Sequence, residues 1–263
     1  AYDRNYQYIH QLSNSTTSSP TDVWVPSSNN IKPQVADQLA LGYYQNLKKN
    51  TYQISAEVYY KNLHNQIDYR NGADLLLNNL VEGELVYGNG TAYGLELMLQ
   101  KKKGKLTGWI SYTLSRSLRQ FDDINEGRVF SARQDRIHDL SVVVMYKINK
   151  SLSLATTFVY YTGDAVTFPS GKYDVGGISI PYFTERNGYR MPDYHRMDVG
   201  LTWYMKESKR FKHDLNFSIY NLYARENAYT ITFEENDQTG KTEAIQTALF
   251  KIIPSITYNF KLK

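Results

Sequence analysis

Apolar and polar side chains alternate along most of this chain, in ten segments separated by polar connectors. In the third segment Tyr52, Ile54, Ala56, Val58 and Tyr60 share one face, while Gln53, Ser55 and Glu57 share the other. A period of two is that of a β-strand with one apolar and one polar side. Similar apolar faces carry Leu39, Leu41 and Tyr43; Tyr93, Leu95, Leu97 and Leu99; Leu106, Ile110, Tyr112 and Leu114; and Leu140, Val142, Val144 and Tyr146. The predicted strands cover residues 2–11, 34–47, 51–69, 91–101, 105–117, 136–147, a segment ending at 161, and 194–205. A ninth strand runs through Leu215, Phe217 and Ile219 and on to Phe233, and a tenth finishes at Ile256, Tyr258, Phe260 and Leu262.

The connectors take turns. Long polar ones alternate with short turns such as Lys48-Lys49-Asn50, Lys102-Lys103-Gly104 and Asn149-Lys150. Outer-membrane barrels keep this order because every strand crosses the bilayer, with short periplasmic turns and long extracellular loops. A soluble sandwich mixes connector lengths. The expected fold is therefore all-β, a transmembrane antiparallel barrel of about ten strands with the C-terminus in the periplasm. Such a sheet must close, since an edge left in lipid strands its backbone N–H and C=O groups without partners. Ten strands could close alone or form one arc of a larger barrel. The third strand and the ninth–tenth hairpin outrun the roughly 9–11 residues needed to span a bilayer, which favours a large transporter.

Composition fits this picture. There are 24 Tyr, 10 Phe and 3 Trp in 263 residues, a density suited to aromatic girdles at the two lipid–water boundaries but also found in soluble β proteins. No apolar run approaches the roughly 20 residues of a membrane helix. Zero cysteines excludes disulfides and thiolate metal sites. A net charge of +4 is too small to argue for nucleic acid. The start at Ala1, running directly into Tyr2-Asp3-Arg4-Asn5-Tyr6, reads as a mature piece or a fragment.

Candidate chemistry lies in the long connectors. Arg116, Arg119, Arg128, Arg133 and Arg136 are interspersed with Asp122, Asp123, Glu126 and Asp135. They could grip a carboxylate or phosphate through guanidinium forks, or pair internally to shape a tall loop. Tyr173, Tyr182, Phe183, Arg186, Tyr189 and Arg190 could stack on a ligand, or pack against neighbouring loops. Asp193-Tyr194-His195 could orient a histidine base with Asp122 or Asp123 as partners, or anchor the preceding loop together with Arg196. The basic turns suit a rim facing phospholipid headgroups. Gly42, Gly94 and Gly200 fall on inward positions, where they clear space or relieve strain. The five histidines are scattered, so neither a metal site nor a cofactor is expected.

Several stretches resemble the barrel of TonB-dependent receptors: Ala92-Tyr93-Gly94-Leu95-Glu96-Leu97, Ser111-Tyr112-Thr113-Leu114-Ser115-Arg116-Ser117, Asp135-Arg136-Ile137-His138-Asp139-Leu140, Tyr161-Thr162-Gly163-Asp164 and Arg190-Met191-Pro192-Asp193-Tyr194-His195-Arg196-Met197-Asp198. The close, Leu249-Phe250 then Pro254-Ser255-Ile256-Thr257-Tyr258-Asn259-Phe260-Lys261, resembles the last strand of the Bacteroidota type. The resemblance implies a 22-strand barrel of which residues 1–263 are the C-terminal portion, without the plug domain or the earlier strands. It implies a non-enzymatic importer of a siderophore, cobalamin, glycan or peptide, working with outer-membrane lipid, the TonB complex and a small nutrient. A surface lipoprotein is a further candidate partner. Ligand contacts are expected from Arg119, Arg128, Arg133, Tyr182, Phe183, Arg186 and Arg190. The alternative is a self-contained ten-stranded barrel acting as an omptin-like protease or a simple pore.

Overall fold

The computed structural model describes residues 1–12, 22–73, 75, 78, 80–176, 178–206, 211–236 and 238–262. Ten strands form one continuous sheet: β1 (Tyr2–Gln7), β2 (Gln34–Leu47), β3 (Tyr52–Tyr69), β4 (Leu85–Lys101), β5 (Leu106–Phe121), β6 (His138–Lys147), β7 (Leu152–Tyr161), β8 (Tyr194–Tyr204), β9 (Phe211–Tyr220) and β10 (Ile253–Leu262). Each pairs antiparallel with its neighbour in sequence, so the chain runs up and down along a single wall. All ten predicted strands are present. The path ends at β1 on one side and β10 on the other, and these two do not pair.

The wall is inside out relative to a soluble protein. Leu39, Leu41, Val58, Leu97, Leu99, Ile110, Phe217 and Ile256 are exposed on it. They stand on the face predicted to be apolar, as a lipid-facing surface requires. The buried apolar residues gather instead at the end of the sheet bearing the long connectors. One cluster comprises Leu12, Val25, Ile31, Ile67, Leu75 and Leu85; a second comprises Val86, Phe121, Ile124 and Phe130. Two of the inward glycines make room for tyrosines. A Cβ on Gly42 would lie 2.7 Å from the Tyr44 ring, and one on Gly94 would lie 2.9 Å from the Tyr59 hydroxyl.

Several boundaries differ from expectation. The first strand leaves the wall after Gln7, and Ile9–Leu12 turns away to pair with Val23–Pro26. The buried His10 anchors that hairpin through Ser27 at 3.1 Å and Gln34 at 3.1 Å. β4 begins at Leu85, and β5 continues to Phe121, because the two strands keep pairing above the expected limits. β9 does not run on to Phe233. It stops at Asn221, a buried residue with φ 54°, whose side chain bonds the backbone of Arg225 in both directions. Asparagine tolerates this left-handed backbone because its amide caps the turn locally. Thr230–Glu235 then pairs with Thr242–Thr247 as a separate hairpin. Residues 13–21 of the first connector, residues 207–210 of the last basic turn, and Asp237 at the tip of this hairpin lie outside the described residues.

Candidate functional site

A cavity of about 650 Å³ opens between the connectors at the top of the wall. Four of the seven candidate residues line it: Arg119, Arg133, Phe183 and Arg186. Asp68, Tyr69 and Asn71, at the end of β3, supply its opposite side.

The placement of Asp68 depends on one irregularity. Strict alternation from Tyr52 puts Asp68 on the lipid face with Tyr60. However, the β3–β4 register shifts between Leu63 and Gln66, where Asn65 has φ 54°. One extra residue in a strand flips everything beyond it to the other face. Asp68 therefore pairs with Val86, on the face that carries Gly88, Gly90 and Gly94, and Arg119 pairs with Gly90 on that same face. Sequence reasoning missed Asp68, Tyr69 and Asn71. The only hint was the polar run Asp68-Tyr69-Arg70-Asn71-Gly72 closing an overlong strand.

Arg186 locks the site together. Its guanidinium donates to Asp68 Oδ1 at 2.5 Å and Asn71 Oδ1 at 2.9 Å, and lies 4.3 Å from the centre of the Tyr69 ring. Its backbone N–H and carbonyl bond the side chain of Asn125, which has φ 52°. One residue of the longest connector is thereby tied to two other connectors. Burial raises the Tyr69 hydroxyl pKa, partly opposed by the nearby Arg186 charge.

Arg119 is placed differently. On β5 the outward positions run Ile110, Tyr112, Leu114, Arg116, Leu118 and Gln120, so the unbroken apolar run ends at Leu114, below Arg119. Burial in the cavity wall lowers its pKa, and the Asp68 charge offsets only part of this. Arg133 contributes to this cavity and to a smaller one of about 390 Å³, where the Tyr161 and Tyr194 rings stack 4.6 Å apart.

The other candidates stand outside the large cavity. Arg128 reaches Glu185 at 3.2 Å and the Asn125 carbonyl at 3.2 Å, so it clamps two connectors. Arg190 holds the Asp135 carboxylate, the Asp135 carbonyl at 2.5 Å and the Gly163 carbonyl at 3.1 Å. Tyr182 closes the hairpin Gly171–Val175/Ile178–Tyr182, 6.4 Å from Tyr173. Internal pairing thus accounts for Arg128 and Arg190.

Asp193 and His195 do not pair. Asp193 accepts from Tyr160 at 2.7 Å and from the Gly163 N–H at 3.1 Å, whereas His195 meets the Tyr223 hydroxyl at 2.8 Å. Both anchor loops. Among the described residues, no group of His, Asp or Glu side chains is arranged to hold a metal ion.

The family described as TonB dependent receptor-like, beta-barrel, matches residues 1–222. No curated protein matches the chain. Among solved structures, the ferric-catecholate import receptor Fiu of Escherichia coli K12 aligns over 98% of this chain and 32% of its own, with a TM-score of 0.56 and 14% identity. The ferripyoverdine receptor of Pseudomonas aeruginosa aligns over 99% and 30%, at TM-score 0.56 and 9% identity. The iron transporter FrpB of Neisseria meningitidis aligns over 89% and 32%, at TM-score 0.53 and 15% identity. The chain therefore spans about a third of the length of these transporters and shares their fold. The family and these neighbours are receptors and transporters, which are not enzymes. With its lipid-facing wall, its alternating connectors and a family match that runs from β1 to the end of β9, the chain belongs to the TonB-dependent receptor β-barrel family.

Proposed function

We propose that this chain is the C-terminal portion of the barrel of a bacterial outer-membrane importer, its periplasmic turns basic and its C-terminus in the periplasm. The carrying observation is an antiparallel wall with exposed apolar side chains on one face and two unpaired edge strands, β1 and β10. In hydrocarbon each unpaired backbone group costs several kcal/mol, so the reading adds further strands, up to a 22-strand ring, and a plug domain through which TonB exerts force. The cavity at the connector end is the wall's share of an extracellular binding funnel for a scarce nutrient. Siderophore, cobalamin, glycan and peptide all remain within that class. The neighbours named for ferric-catecholate and ferripyoverdine share the wall, and at their identities this supports a receptor rather than a particular cargo. The Bacteroidota-type resemblance of the last strand is part of the same reading, as is a surface lipoprotein over the loops.

Two experiments test it. The reading frame upstream of Ala1 should encode a plug domain and about twelve strands, and a signal peptide directly before Ala1 would overturn the reading. Cells relying on the full receptor for a limiting nutrient should stop growing when either the receptor or TonB is deleted. Growth indifferent to TonB would leave a passive pore instead.

A further inference from the structure

Arg119 projects five N–H donors from the inward face of β5 into the 650 Å³ cavity. Among the described residues no carboxylate lies within ion-pair distance of it. Asp68, whose charge it does feel, is engaged by Arg186 at 2.5 Å. Arg119 is thus a half-buried cation with no anion of its own among the described residues. Such a group destabilises a fold unless an opposite charge arrives. The contrast with its neighbours is direct: Arg128, Arg136, Arg186 and Arg190 each have a carboxylate partner.

The rest of the lining indicates what accompanies the anion. Gln7, Gln11, Gln34 and Gln134 also line it; the first three each commit one amide N–H, to the Ile9 carbonyl, Asp22 and His10, and an amide has a second N–H and an acceptor oxygen besides. Phe183, half exposed, offers an apolar face at the mouth. The volume falls in the range of small-molecule pockets, roughly 300–1,000 Å³. A planar guanidinium fork matches a carboxylate in two parallel hydrogen bonds.

We propose that this cavity binds the carboxylate of a small, hydrogen-bond-rich organic molecule, with Arg119 as its anion-holding residue and Arg186 as the strut that shapes the pocket. An acidic sugar and a hydroxycarboxylate chelator present the same chemistry. The inference rests on the reading of the chain as an uptake receptor and names the ligand class of its cavity.

The full receptor, purified in detergent, is titrated by calorimetry with glucuronate, citrate, glucose and inorganic phosphate. Glucuronate or citrate should bind at least ten-fold more tightly than glucose, and which of the two binds distinguishes an acidic sugar from a chelator. Arg119→Gln should weaken that binding ten-fold or more, Arg119→Lys should weaken it less, and Arg128→Gln should leave it within two-fold. Because no carboxylate among the described residues pairs with Arg119, Arg119→Gln should unfold at the same temperature as the parent or higher. Four results would overturn the proposal: no carboxylate bound, glucose or phosphate bound as well, binding unchanged in Arg119→Gln, or a lowered unfolding temperature in that variant. A heat-modifiable gel shift reports barrel folding separately. A folded receptor that binds no carboxylate yet supports TonB-dependent growth sinks this inference alone; one that binds a carboxylate but is indifferent to TonB sinks the importer reading instead.

Discussion

Asp135 has a fully buried side chain, and three groups converge on it. Its Oδ1 accepts from the Ser117 backbone at 2.6 Å, while Oδ2 pairs with Arg190 and lies 3.4 Å from Arg116 Nε. Asp135→Ala leaves two guanidiniums facing each other with no anion between them. Breaking a buried pair costs about 3–5 kcal/mol, and the partial exposure of both arginines places the expected loss at the lower end. Urea unfolding of the receptor should show this as an earlier midpoint, with Asp135→Asn intermediate. An unchanged midpoint would remove Asp135 as the anchor of its connector. His10 offers a pH test at the same scale. Burial depresses its pKa below the ordinary 6.5, so below about that pH the unfolded chain takes up a proton that the folded hairpin resists. Stability is therefore complete above 6.5 and declines as pH falls toward the folded value. Amide protection in Ile9–Leu12, corrected for the intrinsic pH dependence of exchange, should fall between pH 7 and pH 5, and His10→Gln should abolish that fall.

At the scale of elements, β2 and β3 show how one strand serves two media. Leu41 is 75% exposed on the outward face of β2, and its cross-strand partner is Val58. An arginine on the lipid face of a barrel costs about 2–4 kcal/mol near the midplane. Leu41→Arg should lower the unfolding free energy in vesicles by about that amount, whereas Gln53→Arg on the inward face should change it little. Equal effects at the two positions would contradict the assignment of faces. β3 changes its allegiance once, at the bulge around Asn65, and this turns Asp68 inward to meet Arg186. β9 keeps one face throughout and simply stops, since two left-handed residues three apart, Asn221 and Ala224, with the Asn221 side chain capping Arg225, turn the chain out of the sheet.

At the scale of the whole molecule, the two edges decide what the wall can do alone. β1 and β10 each carry a row of backbone groups with no sheet partner. Residues 1–263 expressed by themselves should fail to give the compact, heat-modifiable band of a folded barrel in vesicles, while the full receptor should give it. A heat-modifiable band from the isolated chain would mean that ten strands can close. The long-connector end of the wall, by contrast, is knitted across connectors: Lys172 meets Glu235 at 2.6 Å and the Phe168 and Phe233 rings lie 5.1 Å apart.

Period-two alternation by itself determined the ten wall strands, their faces and the order of long and short connectors. Each of those depends only on whether neighbouring residues meet lipid or water, which is a local property. Short motifs in both strands and connectors likewise carried the family resemblance. Tertiary structure alone decided that Arg186 would reach Asp68 across 118 positions of sequence, that Arg128 and Arg190 would be consumed in clamps, and that Arg119 would face a cavity with no carboxylate partner among the described residues. Connector residues follow no period, so their meetings are set by how separate loops pack over the rim. The bulge at Asn65 combines both: a single extra residue, invisible to the alternation that precedes it, determines which face Asp68 occupies.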